Sequence, residues 1–182
     1  MNSFSIQEFK PTIFFLGKFL ALYIVLNLLY GWYVTVYHPD PDPATHIISV
    51  HTSTALTLCG WPSVSTDNID KPTTVISHDK KNVLSIYEGC NGINVMIIFV
   101  SFLLSFGPVN RNLLWFIPVG ILVIHLMNIL RVALLFWVAL YEPNYMYFLH
   151  KYLFTAALYV VVFVLWILWV RKFSKQKSVV AS

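Results

Sequence analysis

Three residues of this chain can do chemistry together. Cys90 stands in Glu88-Gly89-Cys90-Asn91-Gly92, where a polar stretch gives way to a long apolar one. It is one of only two cysteines, and the flanking glycines let a ligand or another backbone come close. Arg131, in Asn128-Ile129-Leu130-Arg131, and His150, in Phe148-Leu149-His150, are ionisable groups within or beside apolar runs. A thiol, a guanidinium and an imidazole are the parts of a cysteine acyl-transfer site. A thiolate at a helix N-terminus is stabilised by the free N–H groups there and by a nearby guanidinium. The guanidinium can instead hold the oxyanion of a tetrahedral intermediate. The imidazole can take the thiol proton and later give it to the leaving amine. Whether the three meet depends on the elements that carry them.

Only 11% of the residues are charged and 58% are hydrophobic, with a mean hydropathy of +0.70. Soluble domains carry about 25% charged residues, so the chain reads as an integral membrane protein. The expected fold is an all-α bundle of about four transmembrane helices, forming a single domain over 1–182. The first apolar run is too long for a signal-peptide core and is read as retained. The net charge of +4 sits at span ends and points to no nucleic-acid partner. Cys59 and Cys90 are too few for a disulfide scaffold, and no metal-ligand spacing occurs, so neither a metal nor a cofactor is expected.

The spans are expected at about 11–37, 90–106, 113–141 and 148–170. The third stretch, of 29 residues, makes about 43 Å of helix. A bilayer core is about 30 Å thick, so this is one long tilted helix and not two spans. Between the first two spans lies an extracytoplasmic segment, 38–89. Its alternating prolines at Pro39, Pro41 and Pro43 end the first helix. Ala44 to Gly60, carrying His46 and His51, reads as an outer amphipathic helix. Thr73 to Ile76 and Val83 to Tyr87 read as a small β-hairpin around Asp79-Lys80-Lys81-Asn82.

Lysine and arginine near span ends set orientation. Lys10, Arg111, Arg171, Lys172, Lys175 and Lys177 mark the cytoplasmic side, against Lys71, Lys80, Lys81 and Lys151 outside. Both termini then lie inside, in the cytoplasmic membrane. Cys90 falls at the outer end of the second span and His150 at the outer end of the fourth. Arg131, eleven residues before Glu142, lies about 16 Å below that end along the axis and can reach back up. His125, Asn128 and Arg131 share one helix face within about 120°. That face must look into the bundle, because intramembrane polar groups turn from lipid.

Each residue also has a plainer role. A cysteine at a span end serves as a small apolar residue. Asn128 and His125 can be interhelical hydrogen-bond partners, or Asn128 can orient Arg131 or bind substrate. His150 is tolerated at an interface, Glu88 can be solvated or bind a substrate amine, and His46, His51 and His78 read as surface residues. Arg131 is harder to explain without function, since its insertion costs about 2.5–3.5 kcal/mol on translocon scales. Two other classes compete with the enzyme. One is a non-catalytic scaffold or assembly subunit for surface polysaccharide or secretion. The other is a thiol-disulfide oxidoreductase using Cys59 and Cys90, which gives Arg131 no role.

Taken together, Cys90-Asn91-Gly92, Asn128-Ile129-Leu130-Arg131 and His150 resemble the exosortase/archaeosortase family in order and placement, over about Pro11 to Val170. The chain's length is similar to the short exosortase F type. Serine often follows the cysteine in the longer exosortases, where this chain has Asn91, and those enzymes carry further spans. The resemblance implies a membrane cysteine transpeptidase or peptidase with Cys90, Arg131 and His150 catalytic. Asn128, Asn91, Glu88 and His125 are then candidates for substrate binding or support. It implies exported protein substrates with a C-terminal transmembrane sorting tail, cut at the outer face of the membrane, and an acceptor glycan, lipid or water. Membrane lipid is the other expected partner.

Overall fold

Ile6–Tyr37 forms helix α1, with Pro11 in its first turns, where a missing N–H costs little. The computed structural model describes the backbone of residues 6–180 and the side chains of 9–172. The side chains of Lys175 and Lys177, used above for orientation, lie outside the described residues. Helix α2, Pro43–Leu58, starts on an N-cap, Asp42, whose carboxylate accepts from the Ala44 and Thr45 amides at 3.0 and 3.1 Å. Proline at the first helical position needs no such partner. The face that α2 buries carries Thr45, Ser49, Thr52 and Ser53 beside Ile48 and Leu56. That face is hydroxyl-rich, unlike the apolar face expected of a membrane-surface helix.

Three strands follow where a hairpin was expected: β1 (Ser63–Asp67), β2 (Thr74–His78) and β3 (Lys81–Ile86) form an antiparallel sheet in the order β1-β2-β3. The β2–β3 turn falls on Asp79 and Lys80, both at positive φ. The additional strand, β1, has exposed Val64 and short polar neighbours, so it lacks the alternating apolar signal that marks a half-buried strand.

Helices α3 (Ile93–Phe106) and α4 (Arg111–Tyr141) form the next pair. A 3₁₀ turn at Pro143–Tyr145, a single α turn α5 (Met146–Phe148) and a π-helical turn at Leu149–Leu153 lead into α6 (Phe154–Val180). By length and composition three stretches can cross a membrane: Phe9–Tyr37, Arg111–Tyr141 and Pro143–Lys172. The full span expected at 90–106 is a shorter apolar helix. Glu88–Cys90 is a 3₁₀ turn and Gly92 adopts φ 87°, so α3 begins only at Ile93. Its 14 residues make about 21 Å, short of a bilayer core of about 30 Å.

Two cores hold these elements. In the first, Phe99 and Leu103 of α3, Leu113 and Ile124 of α4, and Val162, Leu165 and Trp169 of α6 pack together. Helix α1 lies against α3 through Phe15, whose ring meets those of Phe102 and Phe106 edge-on. In the second core Ile76 and Ile86 of the sheet pack on Ile48 and Leu56 of α2 and on Val132 and Phe136 of α4, with Cys90 among them. Ile86 is thus pinned to α4 four residues before Cys90. The path of β3 therefore fixes where the thiol lands.

Candidate functional site

Cys90 ends the 3₁₀ turn and is buried. Its Sγ lies 3.1 Å from Nε2 of His150. That same Nε2 lies 3.4 Å from Nη2 of Arg131. Asn128 joins them, donating from Nδ2 to the Cys90 carbonyl at 2.9 Å while its Oδ1 accepts from Nη1 of Arg131 at 3.4 Å. One face of α4 therefore supplies both an amide that clamps the Cys90 backbone and a guanidinium beside the thiol and the imidazole.

A guanidinium only donates hydrogen bonds. Nε2 of His150 is then the acceptor in this arrangement, which assigns the ring hydrogen to Nδ1. A neutral imidazole with its lone pair between Arg131 and the thiol is placed to receive the thiol proton. Arg131 is only 8% exposed, its Nε–H has no hydrogen-bond partner, and no carboxylate pairs with it among the described residues. A buried cation in that state is costly. It also leaves a donor free for an anion formed at the sulfur or on a bound carbonyl.

His150 reaches the site from the π-helical turn, where its carbonyl accepts from Oγ1 of Thr155 at 2.9 Å. Such turns insert one residue into a helix and re-aim the side chains on either side, and they recur at functional sites. No composition signal in Leu149-His150-Lys151-Tyr152-Leu153 marks it.

Asn91 does not face the thiol pocket. Its Nδ2 donates to the Tyr30 hydroxyl at 2.7 Å and to Oγ1 of Thr45 at 3.2 Å, and its Oδ1 accepts from the Ile93 amide at 3.0 Å. Thr45 in turn donates to Asp42 at 2.5 Å, and Tyr30 donates to the carbonyl of Glu88 at 3.2 Å. This chain of buried bonds ties α1 and α2 to the turn that carries Cys90. The residue after the cysteine thus supports the loop and caps α3. Tyr30, Asp42 and Thr45 were not legible as site residues. Only the Asp42-Pro43 helix start carried a signal.

His125 is also placed elsewhere. Its Nε2 lies 2.9 Å from Nδ1 of His51, joining α4 to α2. At i−6 from Arg131 it is at the edge of the shared face, and α2 takes it. Of the three histidines read as surface residues, His51 has this partner, His46 pairs with Asp67 at 3.0 Å, and His78 meets the Pro62 carbonyl at 2.6 Å. Glu88 contributes its carbonyl to Tyr30, and its side chain is half-buried beside the turn. Both cysteines are free: Cys90 is buried in the site, whereas Cys59 is exposed and lines a different cavity, against Leu126 and Trp137 of α4.

Tyr87 is a site neighbour that sequence reasoning passed over. It lines a cavity of about 460 Å³ with Cys90 and His150. Its hydroxyl is held above the usual tyrosine range, first by the charge of an ionised Cys90 and then by burial. It thus stays a protonated donor beside the sulfur. Gly89 is what leaves room for its ring, because a Cβ there would collide with it.

Gly92 makes the closest approach of the loop to α4. It has φ +87°, and a Cβ would fall 3.0 Å from Nδ2 of Asn128. Gly92→Ala is expected to destabilise the protein by about 1–3 kcal/mol, the scale of left-handed strain, with the Asn128 clamp displaced in addition. Thermal unfolding in detergent measures this against Gly17→Ala, where nothing lies within 4 Å. Equal midpoints for the two variants would show the approach to be dispensable.

Apolar helices long enough to cross a bilayer define a multi-pass membrane protein, in which a buried thiol, a buried guanidinium and a half-buried imidazole meet near one helix start. The family model described as transmembrane exosortase (Exosortase_EpsH) matches residues 11–168. The chain belongs to the transmembrane exosortase family. No curated protein and no solved structure matches it significantly.

Proposed function

We propose that this chain is a cysteine peptidase or transpeptidase of the short exosortase F kind, removing C-terminal sorting tails from exported proteins through a thioester. One observation carries the reading: Sγ of Cys90 and Nη2 of Arg131 stand 3.1 and 3.4 Å from the same nitrogen of His150. In the first step the sulfur attacks the scissile carbonyl carbon, an S–C bond forms, and the thiol proton passes to Nε2 of His150. Arg131 cannot donate to a protonated Nε2. It is therefore freed to hold the oxyanion, and its unpartnered Nε–H gives a second donor. Collapse breaks the C–N bond, and the departing nitrogen takes the proton from His150. An amine of an acceptor glycan or lipid, or water, then attacks the thioester and releases Cys90.

The reading places the site just beneath the outer surface of the cytoplasmic membrane. Helix α3 rises about 21 Å from the Arg111 end to the thiol, against a core of about 30 Å. Both termini are cytoplasmic, with α3 as a fourth, incomplete crossing and the segment 38–89 outside. The substrate's own transmembrane helix then lies beside the bundle and delivers its junction to Cys90.

Two measurements test the proposal. Reporter fusions near Lys71 and Lys177 are expected to report opposite compartments, and the same compartment for both contradicts the topology. Mass spectrometry of membranes from cells lacking this protein is expected to find exported proteins that keep their C-terminal tails. Tails lost equally with and without the protein would leave it a scaffold.

A further inference from the structure

In the sheet order β1-β2-β3, strand β3 is paired on one side only. Four consecutive residues, Leu84, Ser85 and Ile86 of β3 and Tyr87, which continues it with extended backbone, line the cavity that holds Cys90 and His150. Successive side chains of a strand point to opposite faces. A cavity lined by four residues in succession therefore lies against the edge of the strand and not against one of its faces. Such an edge offers unpaired N–H and C=O groups from alternate residues. Among the described residues no backbone group outside the sheet bonds to Val83–Ile86. Pro143, Asn144, Met146 and Tyr147, just before His150, line the same cavity.

We propose that the free edge of β3 is the substrate-binding strand: an extended segment just N-terminal to the scissile bond adds to the sheet and delivers its carbonyl to Cys90. The inference rests on the peptidase reading of the site. The occupant is an extended peptide because an edge can satisfy one and cannot satisfy a helix, whose backbone groups are already paired. The stretch Leu84 to Tyr87 gives about 13 Å of extended chain at 3.3 Å per residue, alongside which about four residues fit, the Tyr87 carbonyl being already bonded to the Cys90 amide at 2.8 Å. Its continuity with the thiol fixes which four, because β3 runs directly into the turn that ends at Cys90. It also fixes direction. A substrate whose tail continues into the membrane runs towards Cys90 as β3 does, so the added strand is parallel. No charged residue lines the cavity, and Leu84, Val132 and Met146 do. The bound segment therefore carries apolar side chains.

The probe is N-acetyl-Val-Thr-Val-Ala chloromethyl ketone, whose backbone would lie along β3 while Cys90 displaces chloride. It is used with the full chain in detergent, labelling being read by mass spectrometry, with Cys59 as internal control. Four further probes each carry one N-methylated amide. Methylation at alternate residues is expected to slow Cys90 labelling by about tenfold or more, the effect of an unmade buried hydrogen bond. Methylation at the intervening residues should change it little. Equal rates for all four, or slowing without alternation, overturns the strand. Tail processing that persists alongside such a result keeps the peptidase reading and removes only the docking mode. Chloroacetamide, which has no strand to offer, should label Cys90 of the unaltered chain through the reactivity of the thiol alone. Its failure to label Cys90 at all would overturn the nucleophile and the docking mode together.

Discussion

Cys90→Ala is expected to abolish tail removal while the protein stays folded in the membrane. The substitution takes away only the sulfur. The clamp from Asn128 reaches the Cys90 carbonyl, and the Asn91 bonds to Tyr30 and Thr45 do not involve the thiol. The loop is therefore held as before, and the change in stability is confined to a small side chain. Without the nucleophile no thioester forms, and no other described thiol stands in the cavity. The activity lost is the whole covalent route, many orders of magnitude for amide cleavage. The variant should still bind tail-bearing protein and retain it, because the groove beside β3 is unchanged. Substrate processing followed on a gel, with expression checked in the same membranes, reads both. Full processing by Cys90→Ala would refute the enzyme reading.

The second large effect is expected of Arg131→Lys, a loss of about 10²–10³ in turnover, the scale of one removed oxyanion donor. The charge is kept and the geometry is lost. Arg131 serves three directions at once: Nη1 towards Asn128, Nη2 towards His150, and Nε unpartnered. An ammonium has a single nitrogen and cannot stand in all three places, so arginine and lysine are not interchangeable here. A purely electrostatic role for residue 131 would leave Arg131→Lys near wild-type turnover, with only Arg131→Met impaired. Comparing the two substitutions for processing rate, at equal amounts of membrane protein, decides between a positioned fork and a bare charge.

Much of the architecture is legible in composition and spacing. The long apolar runs gave α1, α4 and α6, because a bilayer admits little else than helix over such lengths. Proline and glycine marked their ends. The sheet was legible in β2 and β3, whose β-branched runs flank a polar turn, and was not legible in β1. The division of labour on the α4 face was only half legible. Periodicity put His125, Asn128 and Arg131 on one side of the helix, but it cannot say what packs there. Helix α2 takes His125 through His51, while the Cys90 turn takes Asn128 and Arg131.

By itself the sequence determined that the chain is a membrane protein and that a thiol, a guanidinium and an imidazole lie near one end of its helices. Those facts follow from hydropathy, charge asymmetry and 1.5 Å per residue, all of which act locally along the chain. The tertiary structure decided what touches what. It started α3 only at Ile93, after the left-handed Gly92, and it aimed His150 through a π-helical turn. It made Asn91 a strut between α1 and α2, and it set the open edge of β3 against the thiol pocket. Each of these depends on a contact between residues far apart in sequence, such as the 58 positions between Tyr30 and Glu88 or the 60 between Cys90 and His150. No local rule of propensity or period carries information over such a separation. It is fixed only when the apolar faces of the sheet, α2 and α4 close on one another.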